Sequence, residues 1–442
     1  MRNVLAVLIV VLTLPAATAA QQPTAPAAPD GAVTLAELER LALQSNPTLR
    51  AAEARIETSR HRARQAASWP NPVVGYSAEE ITRDDADPRG EYGFFVEQSI
   101  PLGGKLRLNR AVFERSADQA DAELELQRQR VVSSVRSAFY RTLSADRRVE
   151  VHERLAALVS EAVAITAQLF NVGAADRPDF LESQIEARRV QLDLNASRNQ
   201  VFALRQQLAA VVGSVEVAAR PLAGSLEDAL PELERDATLR LFLDQSPQLR
   251  AARAELARAE AATAAARRAT FPDLFLRGGA AYNREHGDST GRPIGWEGAF
   301  EAGVSVPLFN RNRFGVAAGR ADEVRAAADV QRIELLLRSR LAGAFAMYLT
   351  ALRESESYRT EIIPKAEEAY RLYLARYREM GAAYPQVLFA QRSLLDLSAR
   401  YLERLEETWQ TALEIQGFLA GDGLESPGRA IDDDRVGRGG RR

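Results

Sequence analysis

The chain has 442 residues, a net charge of −3, 7% aromatic residues and no cysteine. Charges of both signs are interspersed, which excludes the basic face that nucleic acid needs. Without thiols there are no disulfides, no thiolate metal centres and no lipid carried on cysteine.

Arg2, the apolar run Val4 to Leu14 and the small residues Pro15-Ala16-Ala17-Thr18-Ala19-Ala20 read as a secretory signal peptide over 1–20. The run is too short to cross a bilayer as a helix. The Pro/Ala-rich stretch 21–33 is expected to be disordered. No later stretch approaches 18 consecutive apolar residues, so no transmembrane helix is expected and any membrane insertion falls to strands.

From residue 34 the chain says nearly the same thing twice. Asn46-Pro47-Thr48-Leu49-Arg50-Ala51-Ala52 returns 200 residues later as Ser246-Pro247-Gln248-Leu249-Arg250-Ala251-Ala252. Ser99-Ile100-Pro101-Leu102 returns as Ser305-Val306-Pro307-Leu308, offset by 206. The repeats run over 34–213 and 237–420, joined by a Pro/Ala/Glu-rich linker at 214–236. A tail at 421–442, with Asp432-Asp433-Asp434 and an Arg/Gly-rich end, is expected to be disordered.

Each repeat opens with a helix, Ala36 to Trp69 or Ala237 to Thr270, broken or kinked at Pro47 and Pro247. A candidate β-hairpin follows, over 72–102 and 272–308. Tyr92, Phe94, Val96, Gln98 and Ile100 alternate with Gly93, Phe95, Glu97 and Ser99. In the second hairpin Leu274, Leu276, Gly278, Ala280 and Tyr282 oppose Phe275, Arg277, Gly279 and Ala281. Trp296, Phe300, Ala302, Val304, Val306 and Leu308 likewise oppose Glu297, Ala299, Glu301, Gly303 and Ser305. One apolar and one polar face at period two, over about ten residues, suits a membrane strand with a polar lumen. Tyr92, Tyr282 and Trp296 fit an interfacial girdle. The joining loops, with Asp84, Asp85 and Asp87, and with His286 and Asp288, read as solvated turns rather than a Ca²⁺ site.

A long helix comes next, over 105–172 and 313–380, 68 residues each. Only Gly315, Gly319, Gly343 and Pro364 interrupt the second. Such a rod is roughly 100 Å long, too long for a compact globule. Shorter helices at 179–212 and 386–419 close each repeat. Two short spans laid end to end match one long one, which suggests coaxial pairs beside long partners. Val151, Leu155, Leu158, Ala162, Ile165 and Leu169, then Val190, Leu194, Ser197, Val201, Leu204 and Leu208, then Leu402, Leu405, Trp409 and Ala412 form heptad seams.

Four strands cannot close a barrel, and an open edge in lipid leaves backbone groups unpaired. The chain therefore needs copies of itself, eight strands in a dimer or twelve in a trimer. A lumen wide enough for solutes favours three.

Catalytic and metal chemistry is missing. His61, His152 and His286 lie in separate elements without ligand spacing. Gly103-Gly104-Lys105 lacks the upstream glycine and the following Ser/Thr of a phosphate loop. No catalytic residue, bound metal or cofactor is expected.

The repeat, the Ser/Asn-Pro-x-Leu-Arg-Ala-Ala helix start and the turn Ile100-Pro101-Leu102-Gly103-Gly104-Lys105 together resemble the TolC-like outer-membrane efflux factors of Gram-negative bacteria. That turn and Tyr384-Pro385-Gln386-Val387-Leu388-Phe389-Ala390-Gln391-Arg392 are most similar to the CzcC/CusC heavy-metal branch. The resemblance implies a homotrimer: a twelve-stranded β-barrel in outer-membrane lipid, continuous with a periplasmic α-helical coiled-coil tunnel. It also implies a passive efflux conduit that docks on a periplasmic adaptor serving an inner-membrane RND-type pump.

The same resemblance makes the turns at Val172, Gly173 and Ala174 and at Met380, Gly381 and Ala382 the adaptor-docking tips, with glycine suiting a helix end of positive φ. The family's acidic ring after the second tip is replaced here by Gln386 and Phe389. Asp179 and Glu182, three apart on one helical face after the first tip, are the candidate aperture ring instead. Asp179 also suits a helix start by charge alone. Heavy-metal cations, drugs and type I secreted polypeptides all remain as cargo. A soluble periplasmic coiled-coil adaptor is the alternative from another class.

Overall fold

The computed structural model describes residues 31–82, 89–227, 230–286, 293–418 and 423–424. The signal peptide, Asp84, Asp85, Asp87, Asp288 and the tail beyond Leu424 lie outside the described residues.

Helix α1 (Leu35–Ser45) is capped by Thr34, whose Oγ1 accepts from the Glu37 amide at 3.3 Å. It stops at Asn46, and α2 (Pro47–Ala67) restarts at once. Pro47 has no amide to give to the preceding turn. The Asn46 side chain accepts from the Thr48 amide at 2.9 Å instead. The second repeat breaks in the same way, with α5 (Arg235–Gln245) and α6 (Pro247–Arg268) meeting at Ser246.

The strands β2 (Val73–Thr82), β3 (Arg89–Pro101), β5 (Asp273–His286) and β6 (Pro293–Ser305) form one antiparallel sheet in the order β2-β3-β5-β6. Two-residue strands β1 (Val33–Thr34) and β4 (Leu222–Ala223) pair in parallel. Val33, placed by sequence at the end of a disordered stretch, is fully buried. The linker also carries a 3-10 turn, Val215–Ala219.

Helix α3 (Lys105–Asn171) is one uninterrupted rod of 67 residues. Arg55 of α2 reaches Glu123 in its first half, and Arg205 of α4 (Arg177–Val212) reaches Asp146 in its second. The end of α4 abuts the α1–α2 break, where Ser45 Oγ and Asn46 Nδ2 donate to the Val212 and Val211 carbonyls at 2.7 and 3.0 Å. Helices α4 and α2 thus lie end to end beside α3. The same relation holds for α9 (Tyr384–Gln416) and α6 beside the second rod.

That second rod departs from a plain helix. It comprises α7 (Arg313–Ser357), a π turn at Tyr358–Ile362 and α8 (Ile363–Arg378). Pro364 cannot donate to the Thr360 carbonyl and its ring would collide with it. Widening the turn, so that Ile363 N–H reaches the Tyr358 carbonyl, removes the collision without ending the rod.

Within Arg313–Arg378 a window meets the length and composition of a membrane span, which the sequence reading did not foresee. A third of that window is buried: Leu337, Leu341, Phe345 and Tyr348 pack with Phe242, Ala412 and Ile415, while Leu335 and Met347 stay exposed. Another core, at the level of the α1–α2 break, joins Leu38, Leu49, Val135, Phe139, Leu208, Leu402 and Trp409. Two residues of the expected tail are also held. The Gly423 amide donates to Ser134 Oγ at 2.8 Å, and its carbonyl accepts from Gln127 Nε2 at 3.0 Å. A Cβ on Gly423 would lie 2.9 Å from the Val131 Cα, so this close approach requires glycine.

Candidate functional site

The sheet has two chemically distinct faces. Register places Tyr76, Phe94, Ala280 and Gly298 in one row, and Tyr92, Tyr282 and Trp296 in another on the same side. That side is apolar and open: Val74, Phe94, Trp296 and Phe300 are 71%, 67%, 72% and 76% exposed. Its rings pack edge to face, Tyr76 on Phe94 at 5.4 Å and Tyr282 on Trp296 at 5.7 Å. Surface of this kind is at home in hydrocarbon.

The opposite side carries Glu97, Arg277 and Glu301 directly across from one another, and Glu91 beside Asn283. Asn283 donates to Glu91 Oε1 at 2.7 Å. The Arg277 guanidinium lies 3.8 Å above the Phe95 ring. Two glycines make room for rings on this side. A Cβ on Gly75 would stand 2.3 Å from Phe95 Cζ, and one on Gly303 would stand 2.2 Å from Phe275 Cζ. The outer edges of β2 and β6 have no strand partner among the described residues.

At the far end of the helices lie the two turns singled out as docking tips. Helix α3 ends in a Schellman motif. The Gly173 amide reaches the Phe170 carbonyl at 3.0 Å and the Ala174 amide the Leu169 carbonyl at 2.8 Å, with Gly173 left-handed at φ 76°. The α8–α9 turn repeats the motif one residue early. Here the Met380 amide reaches the Tyr377 carbonyl at 3.0 Å and the Gly381 amide the Arg376 carbonyl at 2.8 Å. The left-handed residue is therefore Met380, at φ 57°, and Gly381 does not use its freedom as the sequence reading assumed. Val172 and Met380 stand 76% and 71% exposed, with Ala174 and Ala382 beside them in the turns. Phe170 stacks on Phe180 at 5.4 Å across the first turn, and Tyr377 meets Tyr384 at 5.7 Å across the second.

Asp179 and Glu182 sit half-buried on α4. Desolvation raises the Asp179 pKa, and the charges of Asp176 and Glu182 push it further the same way. Both carboxylates lie within electrostatic reach of tyrosines on the second hairpin, Asp179 of Tyr377 and Glu182 of Tyr384. Burial pushes the Tyr370 hydroxyl up to about 12, and the Tyr384 hydroxyl higher still. The tyrosine cluster is therefore neutral at any physiological pH.

The sequence reading missed the most buried charge here. Glu186 is 2% exposed, and its Oε2 accepts from Arg392 Nη2 at 2.8 Å and Nε at 3.2 Å. The signal was available, since Asp179, Glu182 and Glu186 continue one helical stripe by steps of three and four. Further from the tips, His152 Nδ1 lies 2.8 Å from Ser197 Oγ. Desolvation lowers its pKa, Asp193 opposes the shift and Arg148 reinforces it. Among the described residues no group of His, Asp and Glu is arranged to hold a metal.

The sequence matches the profile described as outer membrane efflux protein over residues 38–214 and 238–421. It is 27% identical over 402 residues to the cobalt-zinc-cadmium resistance protein CzcC of Cupriavidus metallidurans, covering 90% of this chain and 92% of that one. It is also 26% identical over 408 residues to the toluene efflux pump outer membrane protein TtgF of Pseudomonas putida, covering 87% and 82% of the two. The crystal structure of CusC superposes with a TM-score of 0.74 at 16% identity, over 88% of this chain and 92% of that one. A two-faced sheet standing on paired helical rods, with the family profile matched over most of the chain, makes the chain a member of the outer membrane efflux protein family: an outer-membrane channel reaching into the periplasm, and a conduit rather than an enzyme.

Proposed function

We propose that three copies of the chain pool their strands into a twelve-stranded outer-membrane barrel continued by a periplasmic helical tunnel. In this reading the duct passes heavy-metal cations delivered by an inner-membrane RND-type pump through a periplasmic adaptor. The observation that carries it is the four-stranded sheet, apolar on one face, polar on the other and unpaired at both edges among the described residues. Such a sheet is stable in lipid only when neighbours close it. The metal cargo rests on the likeness to a cobalt-zinc-cadmium resistance protein.

The adaptor docks on the two turns, where Val172 and Met380 project and Gly173, Ala174, Gly381 and Ala382 keep the surface low. Asp179 and Glu182 from three subunits place six carboxylates around the inner opening and favour cations. Family membership sets aside the soluble adaptor alternative. The toluene relative keeps one second reading alive, an organic cargo.

The test is a planar lipid bilayer with the purified chain, together with a deletion strain challenged with metals and with solvents. Cation-selective conductance, a cross-linked trimer and metal sensitivity are expected. A monomer that conducts nothing sinks the duct, and sensitivity to solvents alone moves the cargo to organic compounds.

A further inference from the structure

The end of the helical body that meets the sheet has a charge balance unlike the rest of the chain. The sequence carries no Asp or Glu in 61–72, 98–113, 261–272 or 302–321, the four segments that lead into or out of the strands. The same segments hold Arg62, Arg64, Arg107, Arg267, Arg268, Arg311 and Arg313, in a chain whose overall charge is −3. Asp273, the residue after the third segment, is paired with Lys105 at 2.8 Å. Elsewhere the helices are laced with ion pairs, whereas Arg107, Arg268, Arg311 and Arg313 make none among the described residues.

Two of these positions work against their own helices. The first turns of α3 and α7 contain no acid and begin with Lys105 and Arg313, which puts positive charge at the positive end of each dipole. At Lys105 the Asp273 carboxylate offsets this charge, and at Arg313 no acid among the described residues does so. An external anion does, because helix N-termini and arginines both attract one.

The apolar surface here supplies the second half of the argument. The outward face of the sheet ends at Ile100, Leu274 and Val304, all in its last rows. Immediately beyond it Phe309 is 101% exposed, Phe314 74% and Trp69 61%. The Arg313 guanidinium lies 4.5 Å over the Phe314 ring. The two repeats differ at this point: Gly103-Gly104 of the first corresponds to Phe309-Asn310 of the second. Gly103 is packed so tightly that a Cβ would lie 2.8 Å from Phe271 Cγ, while Phe309 is left fully exposed by its own chain.

Apolar side chains bordered by unpaired arginines, continuous with a lipid-facing sheet, match the boundary between acyl chains and phosphates. We propose that this collar binds the anionic headgroups of phospholipids in the leaflet nearest the helices, with Phe309 as an apolar wedge and Arg311 and Arg313 as phosphate ligands. The proposal rests on the outer-membrane placement of the sheet and adds a lipid preference that the sheet alone does not require.

The chain's lack of cysteine allows single labelling sites. Full-length F309C and F300C proteins, each carrying a polarity-sensitive dye, are reconstituted into vesicles of phosphatidylglycerol mixed with phosphatidylcholine. Both probes are expected to report an apolar environment. Spin-labelled phosphatidylglycerol is expected to associate at least about fivefold more strongly than spin-labelled phosphatidylcholine, one basic side chain's share of headgroup attraction. R311E/R313E removes the preference and R311K/R313K keeps most of it. Equal association of the two lipids, a preference untouched by charge reversal while R311E/R313E remains folded, or competition by inorganic phosphate alone each overturns the proposal. A wet probe at 309 beside a dry one at 300 overturns it while leaving the barrel standing. Two wet probes bring down the membrane placement as well.

Discussion

Met380 occupies, at φ 57°, the left-handed position that Gly173 fills at φ 76° in the corresponding turn. A side chain with a Cβ pays about 1 kcal/mol for that conformation, and glycine does not. A Cβ on Gly173 would meet nothing within 4 Å, so substitution there isolates the backbone term. G173A is expected to lower stability by about 1 kcal/mol, and M380G to raise it by a similar amount. Thermal unfolding in detergent checks both. Equal and opposite shifts confirm the backbone origin, and a destabilised M380G shows that the exposed methionine makes a contact worth more than the strain.

The Glu186–Arg392 pair ties α4 to α9 just above the tips. Its carboxylate is 2% exposed while the arginine side chain is 46% exposed, so the two partners differ in what their loss leaves behind. R392A strands a buried charge and is expected to cost about 2 kcal/mol. R392K costs less, because an ammonium replaces one of two donors. In R392A/E186Q the second change recovers part of the loss, and a double-mutant cycle measured by urea unfolding gives the coupling. Strict additivity contradicts a direct pair.

Asp179 sits in the first turn of α4, where the helix end favours its charge. Desolvation and the neighbours Asp176 and Glu182 outweigh that, since the net shift is upward. The unfolded chain therefore gives up this proton first as pH rises above about 4. From there to the raised folded value Asp179 withdraws stability, and the loss persists at neutral pH. D179N is expected to melt higher than the parent at neutral pH and to converge with it below about pH 4. A variant that melts lower at neutral pH sinks this reading.

How much of this was legible in advance follows from the range of each signal. Alternation marks strands within ten residues, so Tyr92, Phe94 and Val96 could be assigned to one face, and the register with Tyr282, Ala280 and Gly278 keeps them there. Asn46-Pro47 and Ser246-Pro247 announce helix breaks because proline's missing amide is a local fact. The β3–β5 pairing is different, since its partners, from Glu91 with Asn283 to Pro101 with Asp273, are far apart in sequence and nothing local names them. Val33 and Gly423 escaped for the same reason, each held only by distant segments. Met380 was missed because a glycine one residue later looked sufficient. Glu186 lies one turn further along the same acidic stripe, and its burial depends on Arg392, 206 residues away.

Pro364 explains the π turn but does not alone maintain it. Below the turn, Tyr348 and Leu341 are locked against Ile415 and Ala412. Above it, Tyr370, Leu374 and Tyr377 are locked against Val387 and Leu394. A π turn holds one residue more than an α turn, so removing it rotates one flank by about 100° relative to the other and exposes a packed face. P364A is therefore expected to keep the wide turn, with a stability change within about 1 kcal/mol, because both cores fix the register. Deleting Thr360 in the P364A background restores α geometry but breaks one of the two cores, and is expected to cost several kcal/mol, as loss of several buried side chains does. Thermal unfolding of the two variants decides the matter. If the deletion proves as stable as P364A alone, the proline and not the packing sets the geometry of the rod.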